Sequence, residues 1–148
     1  MIKKALLVFT CGTLLMLGTS LANNDPVSTR QNLMKSVGFA TGTLGKMVKG
    51  ELPYDPVTAE LAMRVIYTSA VGYPTLFPEG SGDGANTEAG PKIWEDRAGF
   101  EAAFVEFQAS LDAAIAADPA SVEELQPLLG AVGQECTACH TEYRLQVN

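Results

Sequence analysis

The chain has 148 residues with 47% hydrophobic content, and 17 acidic side chains against 10 basic ones give a formal charge of −7. That size and apolar content fit one globular domain with a true core and exclude a disordered chain. An acidic pI near 4.6 with no Lys/Arg cluster excludes nucleic acid as a partner, because phosphate binding depends on clustered cations that release counterions.

Residues 1–22 read as a cleavable signal peptide. Lys3 and Lys4 precede apolar runs at Ala5–Phe9 and Leu14–Leu17, and Ser20-Leu21-Ala22 supplies the small residues a signal peptidase reads. Thr10, Gly12, Thr13 and Gly18 interrupt the stretch, so it falls short of the roughly 20 apolar residues of a membrane span. Cys11 leaves with it. Cleavage after Ala22 removes two lysines and no acids, taking the charge to −9 over residues 23–148, a periplasmic domain with no membrane attachment.

Four helices follow in chain order. Asp25-Pro26 offers an N-cap with proline at the first helical position, and Leu33, Val37, Ala40, Leu44 and Met47 line one face until Gly50. Gly38, Gly42 and Gly45 weaken this helix by up to about 1 kcal/mol each, which predicts close approach of a partner helix or a flat ligand. Asp55-Pro56 repeats the start signal, with Leu61, Ala62, Val65, Ile66 and Ser69 running towards Gly72. The Gly- and Pro-rich stretch from Tyr73 to Pro91 predicts a long surface loop. Phe100, Ala103, Phe104, Phe107, Leu111, Ala114 and Ile115 then form the strongest periodic run. Ser121-Val122-Glu123-Glu124 is a capping-box pattern, and Leu125, Leu128, Leu129, Val132, Cys136, Cys139 and Tyr143 follow one face. Pro127 predicts either a kink near Glu123 or a start only at Pro127. No alternating β pattern competes, so the expected fold is all-α, an antiparallel up-down-up-down four-helix bundle.

The specific chemistry lies in Cys136-Thr137-Ala138-Cys139-His140, which matches C-x-x-C-H, the attachment sequence for a c-type haem. On a helix the two cysteines are one turn apart and His140 lies about 40° round from Cys136. All three side chains face one direction, so two thioethers to a single haem and an imidazole on its iron can come from one turn. Structural zinc would need four ligands, and the chain has no second histidine and no further cysteine once the leader is gone. A disulfide suits an exported protein but leaves His140 unexplained. With its single histidine placed on iron, the chain has no Ser-His-Asp or Cys-His catalytic set, and no phosphate-cradling loop. It is read as no enzyme. Thr141 to Asn148 contain no Met, His or Lys, so any sixth iron ligand lies upstream.

Further residues extend the pattern over the whole mature chain: Arg30-Gln31-Asn32-Leu33-Met34-Lys35, Lys49-Gly50-Glu51 with Tyr54-Asp55, Leu76-Phe77-Pro78, Pro91-x-Ile93-Trp94, Gly133, and Tyr143-Arg144 after the C-x-x-C-H motif. In these the chain resembles the class II cytochromes c, cytochrome c′ and the low-spin cytochrome c556. The resemblance implies one covalently bound haem c, with His140 as proximal ligand and Met34 over the distal haem face. In the c′ branch the distal residue leaves iron five-coordinate and open to nitric oxide or carbon monoxide; in the c556 branch a methionine there ligates iron in a six-coordinate electron carrier. Met34 is compatible with both. The resemblance further implies Arg30 and Gln31 at the haem propionates, Arg144 bordering the proximal pocket, Glu88 at a loop position near the haem edge, and a homodimer through the first two helices. Trp94 and Tyr143 read chiefly as core aromatics. The expected role is one-electron transfer with a five-coordinate iron that binds nitric oxide or carbon monoxide, the six-coordinate Met34/His140 carrier being the alternative; the sequence leaves the redox partner protein unidentified.

Overall fold

The computed structural model describes residues 25–84 and 86–145; the leader expected over residues 1–22, Cys11 included, lies outside them. Four long helices, α1 (Pro26–Val48), α2 (Pro56–Ala70), α4 (Arg97–Ala117) and α5 (Val122–Tyr143), are joined by a 3₁₀ turn at Tyr73–Leu76 and a one-turn helix α3 (Lys92–Glu95). α1 packs on α2, α2 on α4, α4 on α5 and α5 back on α1, which closes a four-helix bundle.

Each long helix starts on a side-chain cap that satisfies N–H groups the helix itself cannot. The Asp25 carboxylate accepts from the Val27 and Ser28 amides at 3.1 and 3.0 Å, Asp55 from Thr58 at 2.7 Å, and Asp96 from Gly99 at 3.0 Å. The Asp96 carboxylate lies close over Gly99, where a Cβ would stand 2.4 Å from it and would have to push it aside. At α5 the Ser121 hydroxyl accepts from the Glu124 amide, while the Glu124 carboxylate accepts from Ala120 N–H, one residue earlier than in the standard box. These bonds hold the Asp25 and Asp55 carboxyls below the ordinary value of 3.8. Both caps are therefore intact above that pH and fade as acid protonates them.

Pro127 neither breaks nor delays α5, which runs through it from Val122. The hydrogen bond it forgoes would have gone to Glu123 C=O, in the exposed first turn, where water serves the carbonyl. The α1 stripe is buried at Val37, Ala40, Leu44 and Met47, as its periodicity predicts. In α2 the buried face is turned by about one residue: Met63 is buried while Leu61 stays 61% exposed. Among the described residues, nothing beyond their own helix lies within 4 Å of a Cβ position on the three α1 glycines, so no described helix approaches them closely.

The stretch after α2 corrects the expected surface loop. Tyr73 and Phe77 are buried. Tyr73 stacks on Phe104 at 5.1 Å and Phe77 meets Phe100 edge-on at 4.9 Å, so this segment closes one end of the core with aromatic rings. Gly and Pro set the turns; the aromatic residues between them set burial. At the other end the Tyr54 hydroxyl donates to Pro119 C=O.

Leu111 has no exposed surface and sits midway along α4. Leu111→Ala should cost about 2–5 kcal/mol through lost transfer energy and a residual cavity. Urea unfolding of the haem-containing protein checks this, read as a lower midpoint at unchanged slope.

Candidate functional site

Between α1 and α5, floored by α4 and rimmed by the segment around 86–89, lies an open groove of about 850 Å³. Its walls are apolar, with Val37 and Gly38 on one side and Tyr73, Phe100 and Phe104 at the back. Cys136, Cys139 and His140 line it from α5, and Met34 lines it from α1. The same four residues also border a smaller pocket of about 40 Å³ that runs inward to Phe107. Gly38 is the α1 glycine that borders the groove, so there the absent side chain leaves room.

Both thiols are free and half-buried. Burial pushes the Cys136 thiol up and carries Cys139 to about 11, with the neighbouring Cys136 adding to the effect. Both are protonated at neutral pH. His140 stands on the open side of the groove; loss of hydration against the protein, then the Arg144 charge, hold it below 6.5, with Glu88 opposing. The imidazole is thus neutral at pH 7 and has a lone pair to offer a metal. Among the described residues no three His, Cys, Asp or Glu side chains converge as a metal site.

Arg30 is the one charged side chain in the buried set, at 3% exposure. Its Nη1 donates to Leu76 C=O at 3.2 Å and Ser81 Oγ at 3.0 Å, and its Nη2 to Ser81 C=O at 2.6 Å and Thr87 Oγ1 at 2.5 Å. The guanidinium lies 4.5 Å over the Phe77 ring. All four terminal N–H groups are therefore spent on neutral acceptors. No described carboxylate forms an ion pair with it. A buried cation without a protein anion, lining a groove, fits a ligand that brings its own negative charge. Gln31 also lines the groove, and its Nε2 donates to Asn86 C=O at 2.6 Å.

Arg144 and Glu88 come together, which the sequence did not show. Arg144 is the C-cap of α5, extended at φ −105° and ψ 137°, not one more helical turn beyond His140. It pairs with Glu88, whose carboxylate accepts from Arg144 Nε at 2.6 Å and from Nη2. The backbones pair as well: Gly90 N–H donates to Tyr143 C=O at 2.8 Å and Leu145 N–H to Glu88 C=O at 2.7 Å. Gly90 is needed for this, because a Cβ would meet the Tyr143 oxygen at 2.9 Å. Trp94 is a packing residue, edge-on to Phe77 with its indole N–H on Pro78 C=O. Tyr143 is buried against Phe100 and also lines the groove. Ser81, Thr87 and Tyr73, whose hydroxyl donates to Arg30 C=O, are site residues that sequence reasoning missed. Nothing local marks Ser81 or Thr87, and Tyr73 was hidden in a turn-rich stretch.

A four-helix bundle whose last helix turns a C-x-x-C-H motif into an apolar groove defines a c-type cytochrome, the class that carries covalently attached haem c. A family model described as Cytochrome C′ matches residues 25–144, and the chain belongs to that family. It is 34% identical over 141 residues to a cytochrome c′ of Rhodopseudomonas palustris, covering 93% of this chain and 94% of that one. It is equally 34% identical over 120 residues to a cytochrome c-556 of Agrobacterium tumefaciens, covering 81% and 97%. Among solved structures it is similar to cytochrome c′ of Rhodopseudomonas palustris, with a TM-score of 0.79 at 31% identity over 84% of this chain and 98% of that one. A nitric oxide complex of a variant cytochrome c prime from Alcaligenes xylosoxidans matches with a TM-score of 0.72 at 30% identity, covering 82% and 94%.

Arg30→Lys keeps the charge but loses the fork that spans Ser81 and Thr87. Hydrogen exchange of the haem-containing protein should then quicken at amides in 76–84 while those of α4 hold their protection.

Proposed function

We propose that residues 1–22 direct export, and that in the periplasm the mature chain is a haem c protein for one-electron transfer that also binds nitric oxide or carbon monoxide. Cys136 and Cys139 hold the haem as two thioethers and His140 is the proximal iron ligand. The observation that carries this is the shared groove: two protonated thiols and a neutral imidazole on one wall, apolar rings behind, and a buried cation at the rim. When bound, the haem supplies a one-electron couple and a coordination position for a diatomic gas. The residues do the rest. Arg30, through its Nε–H, and Gln31 would hold the acidic edge of the haem. Met34 would keep the iron's open side apolar without binding the metal, and Arg144 and Glu88 would border the side held by His140. The chain acts as a carrier and gas binder; its sole histidine is committed to iron and no catalytic set remains.

A second reading, in which the Met34 sulfur ligates iron as in a low-spin c-556 carrier, is favoured by Met34 and His140 lining the same groove and by the cytochrome c-556 relatives. Denaturation in acidified organic solvent, followed by mass spectrometry, should find haem on residues 23–148; freely extracted haem overturns the proposal. A high-spin ferric spectrum, with faster carbon monoxide binding in Met34→Ala, supports the five-coordinate form. A low-spin wild type that turns high-spin only in that variant supports the six-coordinate one.

We also propose a homodimer through α1 and α2. Phe39 on α1 is 81% exposed, and Val57 and Leu61 on α2 are 71% and 61% exposed. The open flank of Gly42 near Phe39 would let a second copy approach closely. Sedimentation at micromolar concentration should show twice the monomer mass for the wild type and the monomer mass for Phe39→Glu. A monomeric wild type refutes the dimer.

A further inference from the structure

We infer that Glu88 is a positioning residue for the iron-ligand side of the groove: its carboxylate fixes Arg144 and cancels its charge beside His140, and the balance of this pair sets the ferric–ferrous equilibrium. The inference rests on the reading of His140 as the iron ligand.

Geometry carries the argument. Glu88 and Arg144 are 56 residues apart in sequence, yet Arg144 Nε lies 2.6 Å from the Glu88 carboxylate and Nη2 contacts the same oxygen. Both residues line the groove with His140. The backbone clamp beside them is separate from the side chains: Leu145 N–H donates to Glu88 C=O and Gly90 N–H to Tyr143 C=O whatever side chain stands at 88. Each charge is also felt at the imidazole, Arg144 disfavouring its cationic form and Glu88 favouring it. The Lys92–Glu142 pair lies outside the groove lining.

As a brace, the pair contributes little. Its side chains are 48% and 49% exposed, and exposed ion pairs add little to stability. Two main-chain bonds already hold the 88–90 segment to the end of α5. Its charge matters more. Reduction takes one electron from a soluble mediator and lowers the charge on the iron by one. A neighbouring cation favours the reduced form and a neighbouring anion the oxidised form, through the less screened medium of the groove. Paired, the two nearly cancel.

Opposite signs distinguish this from loosening of the strap. Glu88→Gln removes an anion from the groove and should move the ferric–ferrous equilibrium about threefold or more towards ferrous; Arg144→Gln removes a cation and should move it a similar factor towards ferric. Glu88→Asp retains the charge and should stay within about twofold of wild type. Both shifts should shrink at high ionic strength. The measurement is a mediator-coupled spectroscopic titration of each haem-containing variant, with haem content and thermal midpoint recorded alongside. Loosening the strap admits water in either variant and would move both the same way; that result overturns the proposal, as does an equilibrium unmoved in both with full haem content. A wild type without thioether-held haem overturns the underlying reading first, and is seen in the mass before any titration.

Discussion

The groove depends on a positive charge buried at its rim. Arg30 projects from the first turns of α1 and takes hold of Leu76, Ser81 and Thr87 with four N–H groups. These contacts turn a stretch rich in glycine and proline into a wall. Its other side is held by the Trp94 indole on Pro78 C=O, by Arg97 donating to Pro74 C=O and Phe77 C=O, and by the buried rings of Tyr73 and Phe77. Desolvating a guanidinium is costly unless acceptors are close and well placed. The stacked Phe77 ring and the oxygens of Ser81 and Thr87 meet that need for hydrogen bonds, though not for a counter-charge. The fold thus carries an electrostatic requirement that the family's cofactor, with its acidic edge, is suited to fulfil.

A chain of contacts continues from this point across the groove. Thr87 accepts from Arg30 and, through the same hydroxyl oxygen, from the Ala89 amide at 3.2 Å. Glu88 binds Arg144, and Ala89 bridges to Arg144 through the main chain. Four consecutive residues, Thr87 to Gly90, therefore tie the helix that carries Met34 to the helix that carries His140. The two faces of the site are held in register by one short strap as well as by core packing.

Much of this was legible in sequence where the determining physics is local. Asp25-Pro26 and Asp55-Pro56 mark helix starts because a cap and its amides lie within three residues of each other, and the phenylalanines of α4 announce their face by spacing alone. The cysteines and histidine of one turn needed no tertiary information to be grouped. Long-range choices were not visible. Tyr73 and Phe77 are buried by rings more than twenty residues away on α4, those of Phe104 and Phe100. The partner of Glu88 lies beyond three helices, and the end of α5 is set by that pairing, which draws Arg144 out of helical geometry. Leu61 is exposed although its spacing suits the stripe, because α2 rotates to bury Met63. Pro127 was ambiguous since its cost depends on whether the freed carbonyl can reach water.

Helix α5 holds the reactive motif and is synthesised after the other three long helices. Until it exists, Val37, Phe104 and Phe107, which it helps to cover, border an open trough between the helices already made. This apolar surface is therefore bare from the completion of α4 until α5 docks, and termination before Ser121 would leave a species prone to self-association or to capture by chaperones. Placing the thiols on the closing element means that they enter their half-buried positions only as the trough is sealed, so reaction of the cysteines competes in time with collapse of the bundle.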